Sequence, residues 1–102
     1  MLADCLRDDG YCVLQAATGD EALVLLASGA PCDLVVSDVR MPGKTDGLAL
    51  LRHSKLEHPD LPFIVVSGHL LSDEVEQADG FFNKPYDCSE VVAAVERLIR
   101  ER

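Results

Sequence analysis

The sequence is short of positive charge. Its 102 residues carry 9 lysines and arginines against 18 acidic residues, a net charge of −9. Nucleic acid and anionic membrane surfaces both need a basic patch on their partner, so neither is an expected direct partner. A soluble protein that meets cationic or mixed surfaces, or binds a metal cation, fits this balance. Long apolar runs are lacking too: none approaches the about 20 residues of a membrane span. Met1-Leu2-Ala3 runs straight into Asp4, without the basic and then apolar stretches of a secretory leader, and a cytoplasmic location is expected. Cysteine is present at positions 5, 12, 32 and 88, but no pair has zinc-ribbon or CxxC spacing. Cys5, Cys12, Cys32 and Cys88 are expected as reduced core or near-core residues behaving as small hydrophobes. A two-disulfide secreted domain is less expected, because this apolar content can fill a core unaided. No repeat, linker or low-complexity segment divides the chain, so residues 1–102 read as one domain.

What is there is organised around Asp33-Leu34-Val35-Val36-Ser37-Asp38-Val39-Arg40-Met41-Pro42-Gly43. Leu34 to Val36 form a continuous, β-branched apolar run and read as a buried parallel strand. Met41-Pro42-Gly43 reads as a loop. Asp38 is thereby placed at the carboxyl end of a strand, where open α/β sheets gather their ligand-handling groups. On this stretch alone, an Asp that merely opens a turn is an equal reading.

The remaining elements follow in order. Leu2, Cys5 and Leu6 have helical spacing, and Gly10 is placed to end that helix. Tyr11 to Ala17 reads as a strand. Thr18-Gly19-Asp20-Glu21 matches a capping box ahead of a helix through Ala27. Leu48, Leu50, Leu51 and Leu56 predict a helix from Gly47 to about His58, closed by Pro59 and Pro62. Phe63 to Val66 is a second continuous strand, ending at Ser67-Gly68-His69. Ser72 to Ala78 has room for about two helical turns. Gly80-Phe81-Phe82 is a short strand ending at Asn83-Lys84-Pro85. Asp87 caps a last helix whose apolar face is Val91, Val92, Val95, Leu98 and Ile99, with Arg97, Arg100 and Arg102 suited to its negative end. Alternating helices and strands predict an α/β fold with a parallel, doubly wound sheet and right-handed crossovers.

Three strands end in a polar group followed by a backbone breaker: Asp38, Ser67 and Lys84. In a parallel sheet these ends share one edge. A carboxylate, a hydroxyl and an ammonium at one crevice can receive and hold a phosphoryl group. The carboxylate serves as nucleophile, the hydroxyl donates to a phosphoryl oxygen, and the lysine neutralises charge. Taken singly, Ser67 reads as an ordinary strand-end serine and Lys84 as a solvated or ion-paired lysine.

These residues resemble a response-regulator receiver domain of two-component signalling, of the chemotaxis-regulator kind. The likeness runs through Gly10-Tyr11, Gly19-Asp20-Glu21-Ala22-Leu23, Asp33 to Asp38, Met41-Pro42-Gly43, Asp46-Gly47, Val65-Val66-Ser67-Gly68-His69 and Lys84-Pro85-Tyr86. It implies a flavodoxin-like fold and a phosphorelay in which Asp38 accepts a phosphoryl group from a sensor histidine kinase or phosphotransfer protein. Ser67 is then the switch hydroxyl, Lys84 the phosphoryl-sensing lysine and Phe81 the switch aromatic, which otherwise reads as a core residue. Lys84-Pro85 becomes a candidate cis bond. Arg40 and His69 stand where the family modulates phosphoryl lifetime. The implied cofactor is Mg²⁺, held by Asp38 and the backbone carbonyl of Arg40. The implied role is signalling to a downstream protein target, not an enzymatic one.

The resemblance also has gaps. The family's first strand and the acidic pair after it are not matched, which predicts four strands in place of five and weak Mg²⁺ binding. Asp8 and Asp9 fall at the far end of the first helix and do not substitute for that pair. In the family's 2-1-3-4-5 strand order the first strand is interior. Its absence predicts either direct pairing of Tyr11–Ala17 with Leu34–Ser37, or a homodimer or segment exchange that closes the gap. The segment between Ser67 and Lys84 is short, reducing the fourth helix of the family pattern. The alternative function is a pseudo-receiver, an interaction module that does not cycle phosphate. An aspartate-nucleophile phosphatase is disfavoured for want of its own metal-binding carboxylates and an acid/base residue near Asp38.

Overall fold

The computed structural model describes residues 2–29, 31–39, 44–68 and 77–101. The elements are α1 (Leu2–Asp8), α2 (Gly19–Ala27), β1 (Val35–Asp38), α3 (Gly47–Glu57), β2 (Phe63–Ser67), β3 (Gly80–Asn83) and α4 (Cys88–Arg100). Local chemistry accounts for the helix ends. Gly10 takes φ 95°, which a side chain resists, and stops α1. The Glu21 N–H donates to Thr18 Oγ1 (3.1 Å) and starts α2. Asp46 and Asp87 cap α3 and α4 in the same way, accepting from the N–H groups of Ala49 and Ser89.

The sheet is parallel with order β1-β2-β3. Side chains alternate between its faces. Val35, Phe63, Val65 and Phe81 join α2 and α3 through Leu23, Leu26, Leu50 and Leu51. Leu34, Val36, Ile64 and Phe82 join α1 and α4 through Leu2, Leu6, Val91 and Val95. Helices on both faces make this the doubly wound architecture the sequence predicts. Asp79 ties the starts of β2 and β3. Its Oδ2 accepts from the Phe63 N–H (2.8 Å) and pairs with Lys55 Nζ (2.6 Å), while its own N–H donates to the Phe63 carbonyl (2.8 Å).

Four expectations need correction. The described residues form three strands, not four: residues 11–16 are irregular and do not pair with β1. A cleft of about 230 Å³ separates them from β1, with Leu14, Ala16 and Thr18 on one side and Leu34 to Asp38 on the other. An extended segment without a ladder partner gains no strand hydrogen bonds, whatever its residue types. The run Leu34 to Val36 is only half-buried, because one edge of β1 faces that cleft. The cysteines are free, but Cys12 and Cys32 are exposed, and only Cys5 and Cys88, half-buried, keep a near-core place. Of the helix read at Ser72–Ala78, residues 72–76 lie outside the described residues, and Gln77 and Ala78 are not helical.

Candidate functional site

Parallel register sets Asp38 opposite Val66 and Ser67 opposite Asn83. The ends of three adjacent strands thus meet at one edge, with Lys84 the first residue beyond β3. The Lys84 N–H donates to the Ser67 carbonyl (2.7 Å), which anchors the lysine to the middle strand. The Lys84–Pro85 bond is cis. The Lys84 Nζ reaches Asp38 Oδ1 at 2.5 Å. Oδ1 is excluded from water and makes no directed hydrogen bond among the described residues, so the ammonium holds it as an ion pair. The Asp38 side chain as a whole is 44% exposed, which leaves Oδ2 as the open oxygen. Both partners are near half exposure, so the pair's electrostatic worth is small, of the order of a surface pair at about 0–1 kcal/mol. Its significance is positional.

Ser67 is buried at the neighbouring strand end. Phe81 is half-buried on the α2/α3 face, against the layer containing Phe63 and Val65; Phe82 faces the other side. Arg40 and His69 lie outside the described residues, as does the loop Met41-Pro42-Gly43. The structure thus brings Asp38, Ser67 and Lys84 to one edge and does not describe the two remaining sequence-derived site residues.

The backbone that carries Asp38 is fixed from several sides. Ser37 Oγ donates to the Asp38 carbonyl (2.8 Å), the Val39 N–H to the Val66 carbonyl (3.1 Å), and the Gly47 N–H to the Val39 carbonyl (2.7 Å). Gly47 lies so close that a Cβ there would overlap the Asp38 carbonyl oxygen. One layer further out, Gly19 lies equally close to the Thr45 carbonyl. Asp20 Oδ2 accepts from the Lys44 N–H (3.0 Å) and Oδ1 from the Thr45 hydroxyl (2.6 Å). The Thr45 bond holds the Asp20 carboxyl below the usual carboxylate range. Sequence reasoning placed Asp20 inside a capping motif and a family-matching run, with no distant partner. Its reach of more than twenty residues to the loop behind Asp38 has no local signature.

Tyr86 is a further group that the sequence pattern did not single out for chemistry. Burial pushes its phenol up, and the neighbouring Cys88 thiol and Asp38 carboxylate add to this, against the Lys84 charge. Asp9 bonds to Glu96, late in α4, and holds the Glu96 carboxyl above its usual range, whereas Lys84 and Asp87 stand at the start of α4.

Mg²⁺ takes six oxygens in near-octahedral geometry, commonly one or two carboxylates plus waters. Among the described residues no three of His, Cys, Asp or Glu gather to hold a metal, and Asp38 Oδ1 is already covered by an ammonium. Asp38 Oδ2 remains open to a cation at this edge, and Arg40, whose carbonyl is the other expected ligand, lies outside the described residues.

Comparison with known proteins agrees with this geometry. The family model described as "Response regulator receiver domain" matches residues 1–96. The DNA-binding transcriptional regulator NtrC of Salmonella typhimurium is 48% identical over 104 residues, covering 97% of this chain and 22% of NtrC. The sensor kinase CckA of Brucella abortus is 38% identical over 103 residues, covering 95% of this chain and 11% of CckA. The chain therefore spans about a fifth or less of the length of these relatives. Among solved structures, the receiver domain of NtrX from Brucella abortus superposes with a TM-score of 0.88 at 32% identity, covering 99% of this chain and 88% of that one. The response regulator TrrA from Thermotoga maritima, solved in complex with Mg²⁺-BeF, gives 0.84 at 27% identity, covering 95% and 85%. With the three-strand edge of Asp38, Ser67 and Lys84 in place, and a family model spanning nearly the whole chain, this protein belongs to the response regulator receiver domain family.

Proposed function

We propose that Asp38 accepts a phosphoryl group from a sensor histidine kinase or a phosphotransfer protein, and that a downstream protein reads the resulting change of conformation. The observation that supports this is the approach of Lys84 Nζ to Asp38 Oδ1 at 2.5 Å beside the Ser67 strand end. With Oδ1 held by the lysine, Oδ2 is the attacking oxygen. It forms the O–P bond as the donor's P–N bond breaks, and the electron pair leaves on the donor imidazole. The ammonium is already in place for the added negative charge. The Ser67 hydroxyl donates to a phosphoryl oxygen, and Phe81 turns on its half-buried face as the strand end tightens. Arg40 and His69 tune how long the phosphoryl group survives.

A second reading is favoured by the donor set at this edge. With no cluster of further carboxylates among the described residues, Mg²⁺ is held weakly, and a chain with weak metal affinity serves as a pseudo-receiver that binds partners without cycling phosphate. The family's acidic pair, which we infer is not supplied by residues 1–102, separates the two readings.

Intact-mass measurement after incubation with a small acyl-phosphate donor, with and without Mg²⁺, tests both. The first reading expects one added phosphoryl group on the wild-type chain and none on Asp38→Asn. Lys84→Ala is expected to label about 100-fold more slowly. Equal labelling of the wild type and Asp38→Asn would remove Asp38 as acceptor. A wild-type chain that folds and takes no label at any Mg²⁺ concentration would establish the pseudo-receiver.

A further inference from the structure

The first turn of α2 takes hold of the chain that returns from Asp38. Asp20 is the second residue of α2, and each of its carboxylate oxygens accepts one bond. Oδ2 accepts from the Lys44 N–H (3.0 Å) and Oδ1 from the Thr45 hydroxyl (2.6 Å). Two bonds to consecutive residues fix both position and rotation of the chain there, where one bond would leave a pivot. The same two donors hold the carboxyl below its usual range, so at neutral pH it is an ionised acceptor and both bonds are charge-assisted. Gly19 adds a third hold. Its lack of a side chain lets the start of α2 lie against the Thr45 carbonyl, which a Cβ would overlap.

From Thr45 the hold passes to Asp38 within two residues. Asp46 Oδ1 accepts from the Ala49 N–H (2.8 Å) and starts α3. The Gly47 N–H donates to the Val39 carbonyl (2.7 Å). Gly47 also lies so close to the Asp38 carbonyl that no Cβ fits between them. Residues 44–47 are therefore held by α2 at one end and by the end of β1 at the other. Each peptide unit between them is planar and rigid, so a displacement at Thr45 finds little slack before it reaches Asp38.

We propose that Asp20 is a positioning residue for Asp38, and that it acts through the hydroxyl of Thr45. In its effect on phosphoryl transfer the proposal rests on the reading of Asp38 as acceptor. Lys84 Nζ meets Asp38 Oδ1 at 2.5 Å and leaves Oδ2 to attack. Such geometry has a narrow tolerance, since a displacement of about 1 Å at a reacting group can cost about 100-fold in rate. Asp20 does not act on the reacting oxygens themselves; it sets where residues 44–47 hold the strand that carries them. A carboxylate suits the task because it offers an acceptor to each donor. Asparagine has the same shape but one acceptor oxygen, and its NH2 would face the other donor.

The test compares Asp20→Asn, Thr45→Val and Thr45→Ser with Leu98→Ala, which loses apolar packing late in α4. Three quantities are read: hydrogen exchange of the Gly47 amide relative to that of Val65 in the buried middle strand, the chemical shift of the Asp38 amide, and the initial rate of labelling by a small acyl phosphate. Asp20→Asn and Thr45→Val should each raise the exchange ratio about tenfold, move the Asp38 amide and label about tenfold more slowly. Thr45→Ser keeps the hydroxyl and should restore all three. Leu98→Ala should lower the melting temperature and leave all three unchanged, because global stability alone does not move Asp38. An unchanged exchange ratio and Asp38 amide in both Asp20→Asn and Thr45→Val would overturn the proposal. Faster exchange at Gly47 with an unmoved Asp38 amide and wild-type labelling would make Asp20 a local brace and overturn its positioning role. A wild-type chain that takes no label removes the acceptor reading instead. The Asp38 amide then decides alone: the positioning role stands if that signal moves with Thr45→Val and returns with Thr45→Ser, and falls if it does not.

Discussion

β1 and β2 begin from similar residues and reach different states. β2, Phe63-Ile64-Val65-Val66-Ser67, is buried at every position. β1, Val35-Val36-Ser37-Asp38, is buried only at Ser37. The difference lies in their neighbours. β2 is paired on both edges and covered on both faces, by α2 and α3 on one and α1 and α4 on the other. β1 is paired on one edge and opens to the cleft on the other. Burial here is set by the number of neighbours more than by the apolarity of the run. The same contrast serves the candidate site: β2 supplies a rigid floor for Ser67 and the Lys84 backbone, while Asp38 stands on the more open strand.

The largest expected effect tests that contrast directly. Phe63 is 0% exposed and central to its cluster, so Phe63→Ala should remove about 3–5 kcal/mol. That is a large share of the roughly 5–15 kcal/mol that holds a small domain folded. Val35→Ala, on the same face but in the half-buried strand, should cost about 1 kcal/mol. Urea unfolding of the two variants measures the gap. Equal losses would mean that β1 is as enclosed as β2.

Gly47→Ala comes next. The added methyl would overlap the Asp38 carbonyl oxygen, and backbone cannot turn away as a side chain can. A loss of about 1–3 kcal/mol is expected, together with displacement of Asp38 visible as an amide chemical-shift change at Val39 and Val66. A shift confined to α3 would show that the helix, not β1, gives way.

These three variants also mark what could be read from sequence. The Thr18 and Asp87 caps and the Gly10 stop were legible because each is a local pattern of a few residues. β2 and β3 were legible because their apolar runs end at breakers. The shared edge of Asp38, Ser67 and Lys84 was legible because each follows or ends such a run, and parallel pairing does the rest. Tyr11–Ala17 was misread because a strand exists only when another strand pairs with it, and that partner is not a local property. The Gly47 contact, the Asp20 bridge to Lys44 and Thr45, and the Asp79 link between β2 and β3 are tertiary contacts of ordinary residues. Nothing in their immediate sequence distinguishes them from a loop glycine or a solvated aspartate.

Asp20 gives a smaller effect whose sign is fixed by its surroundings. Its carboxyl is held below the ordinary range by the Thr45 hydroxyl. A depressed folded-state value stabilises the fold above the unfolded carboxylate range, near pH 4, and this contribution disappears as pH falls through the lower folded value. Asp20→Asn should therefore melt below the wild type at neutral pH, with the difference closing as the solution is acidified below the ordinary carboxylate range. A difference independent of pH would assign the loss to shape and not to charge.

The smallest effect lies on the open side. Leu14 is 59% exposed on the wall of the cleft that faces β1. An exposed side chain loses little on truncation, so Leu14→Ser should change stability by about 0.5 kcal/mol or less. The melting temperature of the wild type should also be the same across a hundredfold range of protein concentration, since association with a second copy would raise it by mass action. The two measurements are informative together. A loss well above 1 kcal/mol on Leu14→Ser, with a wild-type melting temperature that rises with concentration, would mean that a second copy closes the cleft in solution. The contrast between β1 and β2 would then be a property of the isolated chain alone.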